Sequence, residues 1–133
     1  MKRNNYILCV DDDEDDCALL AEAFEKVNAP QTLHFETTGD KAIKFLERAQ
    51  RDNNWPVLII LDINLPGING LQILPTLRET FPIKHIPIIF LSTNVSNDSL
   101  MLAQSKGVSI LKKPTTMEKY DSIAQTILNM IIE

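Results

Sequence analysis

The chain has 133 residues, of which 44% are hydrophobic and 23% charged, the composition of an ordinary globular domain. Its formal net charge of −5 argues against a free-standing nucleic-acid binder, because binding to a phosphate backbone depends on clustered Lys and Arg. No apolar stretch approaches the ~20 residues that a membrane helix needs. We therefore expect a soluble protein with neither nucleic acid nor membrane as a partner.

The acidity of the chain is local. Six of the 18 acidic residues form the unbroken run 11–16, and the rest of the chain has 12 acidic against 13 basic residues. The two cysteines, Cys9 and Cys17, are too few for a disulfide framework, and free thiols are typical of a reducing compartment. We therefore expect a cytoplasmic location.

Short apolar runs alternate with longer amphipathic segments along the whole chain. In chain order the patterns predict a strand at 6–10, a helix at about 14–28, a strand at 33–36, a helix from 38, a strand at 57–61, a helix at 71–77, a strand at 86–91, a helix at 96–106, a strand at 108–112 and a helix from 117 onwards. Pro75 predicts that the third helix is short or kinked, because proline removes a helical hydrogen bond.

This order of elements predicts an α/β fold. Strands that alternate with helices and lack hairpin turns imply a parallel sheet with helices on both faces. Five such units favour a flavodoxin-like, doubly wound, five-stranded parallel sheet with the strand order 2-1-3-4-5. In that order the first and third strands are neighbours, and their carboxyl ends flank the point where such folds bind ligands.

Carboxylates occupy those two strand ends. Asp11 and Asp12 directly follow the first strand, and Asp62 ends the third. Three neighbouring carboxylates repel each other unless a cation lies among them, and Mg²⁺ is bound by one or two carboxylates together with phosphate oxygens and water. The alternative is three separate, solvated acids. The remainder of the run, 13–16, is predicted to serve the start of the first helix, where acids cap amides and suit the helix dipole.

The ends of the fourth and fifth strands add polar groups to the same sheet edge. Ser92 and Thr93 follow the fourth strand, and Lys113 follows the fifth. Each residue alone is weak evidence, because hydroxyl residues favour turns and lysines are usually solvated. Together with the carboxylates they provide a nucleophile, a hydroxyl donor and a cationic side chain, which is the arrangement required for phosphoryl transfer.

The chain resembles the receiver domain of two-component response regulators at four places in the expected order. The matching segments are Ile7-Leu8-Cys9-Val10-Asp11-Asp12-Asp13, the residues 61–70, Ile88-Ile89-Phe90-Leu91-Ser92-Thr93 and Lys112-Lys113-Pro114. The lead-in Ile86-Pro87 and the segment Leu91-Ser92-Thr93 are most similar to the stand-alone receivers that partner bacterial phytochromes and related sensor kinases.

The resemblance implies roles for the residues at the matching positions. Asp62 would accept a phosphoryl group from a phosphohistidine of a sensor histidine kinase or phosphotransfer protein. Mg²⁺ would be held by Asp12, by Asp62 and by the backbone carbonyl of Asn64, with Asp11 acting mainly through a bound water. Asn64 and Asn94 would tune hydrolysis of the phosphate.

The same resemblance implies a conformational switch. Lys113, with a cis bond to Pro114, would contact the acyl phosphate, and the Ser92 hydroxyl would hydrogen-bond a phosphoryl oxygen. Ser92 would move inward and change the surface of the fourth helix, fifth strand and fifth helix. Ile110 stands at the switch position where the family often has an aromatic residue, so a switch based on an aromatic rotamer is not expected.

We expect residues 1–133 to form one receiver domain without an output domain. Such a protein is a signalling module rather than an enzyme, although it assists its own phosphorylation and dephosphorylation. Its output would be altered binding to an unidentified partner, or passage of the phosphoryl group in a relay. A homodimer through the face of the fourth helix, fifth strand and fifth helix remains an alternative.

Three rival functions are less consistent with the residues. A phosphatase of the dehalogenase type needs a second aspartate two residues after the nucleophile as a general acid, and Asn64 stands there. A flavin-binding module needs a loop rich in hydroxyls or glycine for the phosphate, and six carboxylates lie there instead. A degenerate receiver that binds partners without phosphorylation would not need the full set of predicted site residues.

Overall fold

The apolar runs form the strands of one parallel sheet. A computed structural model describes residues 3–131, with the sheet order β2-β1-β3-β4-β5 and five helices. In chain order the elements are β1 (Tyr6–Val10), α1 (Glu14–Lys26), β2 (Thr32–Glu36), α2 (Gly39–Asp52), β3 (Leu58–Asp62), α3 (Gly70–Thr80), β4 (Ile88–Ser92), α4 (Asn97–Ser105), β5 (Ser109–Lys112) and α5 (Met117–Ile131). The predicted flavodoxin-like fold and its strand order are confirmed.

Two apolar layers cover the two faces of the sheet. Successive strand residues point to opposite faces, so Leu8 and Val10 of β1 face α2, α3 and α4, whereas Ile7 and Cys9 face α1 and α5. The residues of the central strands β3 and β4 are all buried, as expected for parallel strands covered on both sides. Each buried leucine or isoleucine stabilises the fold by about 1.5–3 kcal/mol.

Element boundaries differ from the predicted ones by a few residues. The first helix was expected to reach residue 28, but α1 ends at Lys26 and Asn28 is left-handed with a φ of 56°. The strand expected from residue 86 begins at Ile88, because the Ile86 amide closes a turn onto the carbonyl of Ile83 instead. Local turn hydrogen bonds therefore set these ends.

Pro75 does not shorten α3 to the extent that the sequence suggested. The helix runs for 11 residues with the proline inside it, and its start is fixed by a capping box between Asn69 and Gln72. Ile73 and Leu74 are buried in the layer below. The packing and the cap together stabilise the helix around the missing hydrogen bond.

The start of α3 lies close to the end of β3. The Gly70 amide donates to the carbonyl of Ile63 at 2.9 Å, and a Cβ at Gly70 would collide with the backbone carbonyl oxygen of Asp62. Only glycine allows this approach, which fixes the backbone around Asp62. Among the helices of residues 3–131, none is both long and apolar enough to cross a membrane.

Candidate functional site

Four polar side chains are buried at one edge of the sheet. Asp11 follows β1, Asp62 ends β3, Ser92 ends β4 and Lys113 follows β5, and their exposed fractions are 4%, 5%, 0% and 5%. Within the described chain they are the buried polar or charged residues. Burying charge is costly unless the groups pair with each other, so their concentration at the switch point of the sheet marks a functional site.

Lys113 lies among three carboxylates. Its Nζ atom is 2.8 Å from Oδ2 of Asp11, 2.8 Å from Oδ2 of Asp16 and 2.8 Å from Oδ2 of Asp62. Burial alone would lower the pKa of Lys113, but the hydrogen bonds to the three carboxylates outweigh that effect and raise it. The side chain is therefore a permanent cation, which donates hydrogen bonds to Asp16 and Asp62 and forms an ion pair with Asp11.

The two strand-end carboxylates are also held by backbone amides. The second oxygen of Asp11 accepts from the Asp13 amide at 2.9 Å, and the second oxygen of Asp62 accepts from the Asn64 amide at 2.9 Å. Burial raises the pKa of Asp11 to about 6, although the hydrogen bonds from Lys113 and the Asp13 amide act in the opposite direction. Both carboxylates are thus fixed in orientation.

The site can accommodate a divalent cation. One oxygen each from Asp11, Asp12 and Asp62 lies within 4.8 Å of the other two, and Asp12 is exposed. A carboxylate oxygen that accepts one hydrogen bond keeps a lone pair for a metal, and oxygen donors of this kind suit Mg²⁺. A cavity of about 600 Å³ opens above Asp12 and Asp62, with Asn64 and Thr93 on its wall. That volume leaves room for water and a phosphoryl group.

The Ser92 hydroxyl faces a loop rather than Asp62. It donates to the backbone carbonyl of Asn94 at 3.1 Å and accepts from the Asn64 side-chain amide at 3.3 Å. The side chain of Asn64 therefore links the end of β3 to the end of β4. Of the predicted switch pair, Ser92 belongs to this site, whereas Ile110 is half-buried in β5 and packs against the apolar layer below α4.

One expectation about the lysine is wrong. No described peptide bond is cis, so the bond between Lys113 and Pro114 is trans. The Lys113 amide donates to the Ser92 carbonyl at 2.7 Å, which continues the pairing of β4 with β5 beyond its last ladder residue. The side chain reaches the carboxylates from this backbone conformation.

The acidic run contains one site residue that the sequence reasoning missed. Asp13 does cap α1, since its side chain accepts from the amides of Asp15 and Asp16. Asp16 was also predicted to serve the helix start, yet its side chain contacts Lys113 and accepts from the Tyr120 hydroxyl at 3.3 Å. Helical spacing was the available signal, because residue 16 lies one turn before the buried Leu20.

Comparison with known proteins identifies relatives of one kind. The response regulator receiver domain family matches residues 7–125. The chain is 29% identical over 114 residues to the probable methanogenesis regulatory protein FilR2 of Methanothrix harundinacea, a match that covers 84% of this chain and 74% of that protein. It is 27% identical over 130 residues to the response regulator Rcp1 of Synechocystis, covering 96% of this chain and 88% of Rcp1.

Two solved structures share the fold over nearly the full length. The Mn²⁺-bound form of the response regulator Rcp1 superposes with a TM-score of 0.82 at 26% identity, covering 98% of this chain and 96% of that one. The phosphorylated cyanobacterial phytochrome response regulator RcpA gives a TM-score of 0.82 at 25% identity, covering 93% and 91%. These similarities confirm the predicted resemblance to response regulator receiver domains, and one of the two structures is the response regulator of a cyanobacterial phytochrome.

Proposed function

The chain belongs to the response regulator receiver family, and we propose that it accepts a phosphoryl group on Asp62 from a phosphohistidine of a sensor histidine kinase or phosphotransfer protein. The observation that carries this proposal is the burial of Asp11, Asp62, Ser92 and Lys113 together at one sheet edge. A carboxylate oxygen of Asp62 attacks phosphorus, the bond from phosphorus to the histidine nitrogen breaks, and an acyl phosphate forms.

The side chains around Asp62 have distinct roles in this step. Lys113 neutralises charge on the phosphoryl oxygens as it transfers a hydrogen bond to one of them. Asp11, Asp12, Asp62 and the Asn64 backbone carbonyl are the proposed ligands of Mg²⁺, which would neutralise the charge on the phosphoryl oxygens. The mutual distances of the Asp11, Asp12 and Asp62 oxygens support this assignment.

We propose that Ser92 is the switch. Its hydroxyl is bonded to the Asn94 carbonyl, so it must turn away from that loop to reach a phosphoryl oxygen. Because Asn94 lies just before α4, this movement of Ser92 would alter the surface formed by α4, β5 and α5. Ile110 would respond through a change in its packing, since it has no aromatic ring to rotate. On α4, Leu100, Met101 and Leu102 are exposed, which supports an interaction surface there.

The output is proposed to be altered partner binding at this surface or passage of the phosphoryl group in a relay, with a homodimer as an alternative occupant. We propose that residues 1–133 form a single receiver domain, as the match that covers 96% of this chain and 88% of Rcp1 supports. We further propose a signalling module rather than an enzyme, with no nucleic-acid partner. The free thiols of Cys9 and Cys17 are consistent with a cytoplasmic location.

Phosphorylation in vitro tests the proposal. The protein is incubated with Mg²⁺ and acetyl phosphate, and its intact mass is measured. We expect one added phosphoryl group, which Asp62→Asn abolishes and EDTA suppresses. Asp52→Asn is the matched control, because Asp52 is an exposed aspartate at the end of α2. Labelling that persists in Asp62→Asn would contradict the assignment of the acceptor. If no phosphodonor or kinase labels the wild-type protein, a degenerate receiver would be favoured.

A further inference from the structure

Asp16 holds Lys113 without belonging to the proposed ligand set. Its Oδ2 atom is 2.8 Å from the ammonium, the same distance as those of Asp11 and Asp62. Its other oxygen accepts a hydrogen bond from the Tyr120 hydroxyl at 3.3 Å. Asp16 therefore bridges a cation in the site and a side chain of α5.

Tyr120 connects this contact to the interior of the protein. Its side chain is 2% exposed and packs in the layer that joins α1 and α5 to the sheet, beside Leu20 and Ala124. A buried hydroxyl needs a hydrogen-bond partner, and Asp16 is the partner that the structure provides. A change in the hydrogen bonds of Asp16 therefore acts directly on Tyr120 in α5.

The Lys113 ammonium is fully surrounded by carboxylates in this state. It donates hydrogen bonds to Asp16 and Asp62 and forms an ion pair with Asp11 at 2.8 Å. A phosphoryl group on Asp62 brings further anionic acceptors, so Lys113 must withdraw a donor from one carboxylate in order to bind it.

Asp16 is the carboxylate best able to release the lysine. Its side chain is 22% exposed, against 5% for Asp11 and 6% for Asp62, so water can replace the lost hydrogen bond. Asp16 also keeps the Tyr120 hydroxyl as a second donor.

We propose that Asp16 is a positioning residue that holds Lys113 before phosphorylation and yields it to the phosphoryl group, while Tyr120 retains Asp16. Through this exchange, phosphorylation of Asp62 affects α5 by way of Asp16 and Tyr120. It does not require an aromatic residue in β5, where Ile110 stands. The inference rests on the proposed role of Asp62.

The first test compares the loss of Asp16 with the loss of a neighbouring charge. The affinity for beryllofluoride, an unreactive phosphoryl mimic, is measured by ¹⁹F NMR titration at saturating Mg²⁺. Asp16→Asn should bind it about threefold more tightly than Asp15→Asn does, because a competitor for Lys113 has been weakened. Asp15→Asn is matched, since Asp15 is exposed, lies in the same run and makes its described hydrogen bond through its amide. Equal affinities in the two variants would overturn the proposal.

The second test uses Tyr120→Phe, which keeps the ring and removes the hydroxyl. With Asp16 present, the substitution should weaken beryllofluoride binding about twofold, because Asp16 then depends more on Lys113. In the Asp16→Asn background it should change nothing. A purely structural effect would weaken binding equally in both backgrounds, and that result would overturn the proposal.

The two hypotheses fail in different ways. If wild type does not bind beryllofluoride, or Asp62→Asn binds it as tightly as wild type, the proposed function fails and this inference falls with it. If wild type binds it through Asp62 and the Asp16 and Tyr120 variants show neither expected effect, only the exchange at Asp16 is wrong.

Discussion

Asp11→Asn should stabilise the metal-free protein at neutral pH, although it removes a side chain from the site. Asp11 is 4% exposed, and burial raises its pKa from 3.8 to about 6. A raised carboxyl pKa means that the folded state binds the proton more tightly than the unfolded state. Ionisation of Asp11 therefore lowers the free energy of unfolding as the pH rises from about 4 to 6. The difference of about two pKa units corresponds to a loss of about 3 kcal/mol. Asparagine keeps the oxygen that accepts from the Asp13 amide without the buried charge.

Urea unfolding in EDTA at pH 7.5 and at pH 4 measures this effect. We expect Asp11→Asn to be more stable than wild type by about 1–3 kcal/mol at pH 7.5, with little difference at pH 4. Saturating Mg²⁺ should shrink or reverse the gain, because wild type then gains binding energy from the ligand. Glu47→Gln, an exposed charge removal in the middle of α2, should be nearly neutral throughout. A less stable Asp11→Asn protein at pH 7.5 in EDTA would refute the reasoning.

Three further predictions concern single side chains. Lys113→Ala should retain Mg²⁺ binding, measured by calorimetry, and lose the conformational change that phosphorylation induces. In EDTA the variant should be destabilised by about 3 kcal/mol, because three carboxylates lose their cation. Unaltered switching would count against the role of the lysine. Burial raises the pKa of the Cys17 thiol to about 12. Its alkylation by iodoacetamide at pH 8, followed by peptide mass spectrometry, should therefore be more than about tenfold slower than that of a free peptide thiol. Equal rates would refute the burial of this thiol. Gly70→Ala should destabilise the fold by about 2 kcal/mol or more in urea unfolding and reduce phosphoryl labelling of Asp62, because the new Cβ collides with the Asp62 carbonyl. A Gly70→Ala protein as stable as wild type would show that the backbone can move aside there.

The strands were predictable from the sequence because they are buried on both faces. The run 57–61 is continuously apolar, and β3 occupies Leu58–Asp62 in the centre of the sheet with each of its residues buried. Once the strand order was inferred, the meeting of Asp11 and Asp62 followed from topology alone. Site residues at strand ends are thus accessible to sequence reasoning.

Asp16 was not predicted because an acid in the first helical turn has an adequate local explanation. Helix capping accounts for Asp13. The spacing places residue 16 one turn before Leu20, but it does not indicate a contact with Lys113, 97 residues further along the chain. The contact depends on how α1 and α5 pack against the sheet, and Tyr120 enters it for the same reason. Such tertiary contacts require coordinates.

The most direct test of the central claim is the position of the phosphoryl group. The protein is phosphorylated with acetyl phosphate and Mg²⁺, reduced with borohydride, which converts an aspartyl phosphate to homoserine, and mapped by tandem mass spectrometry. The proposed function predicts homoserine at position 62 alone. Homoserine at Asp11, Asp12 or another aspartate, with Asp62 unmodified, would contradict it.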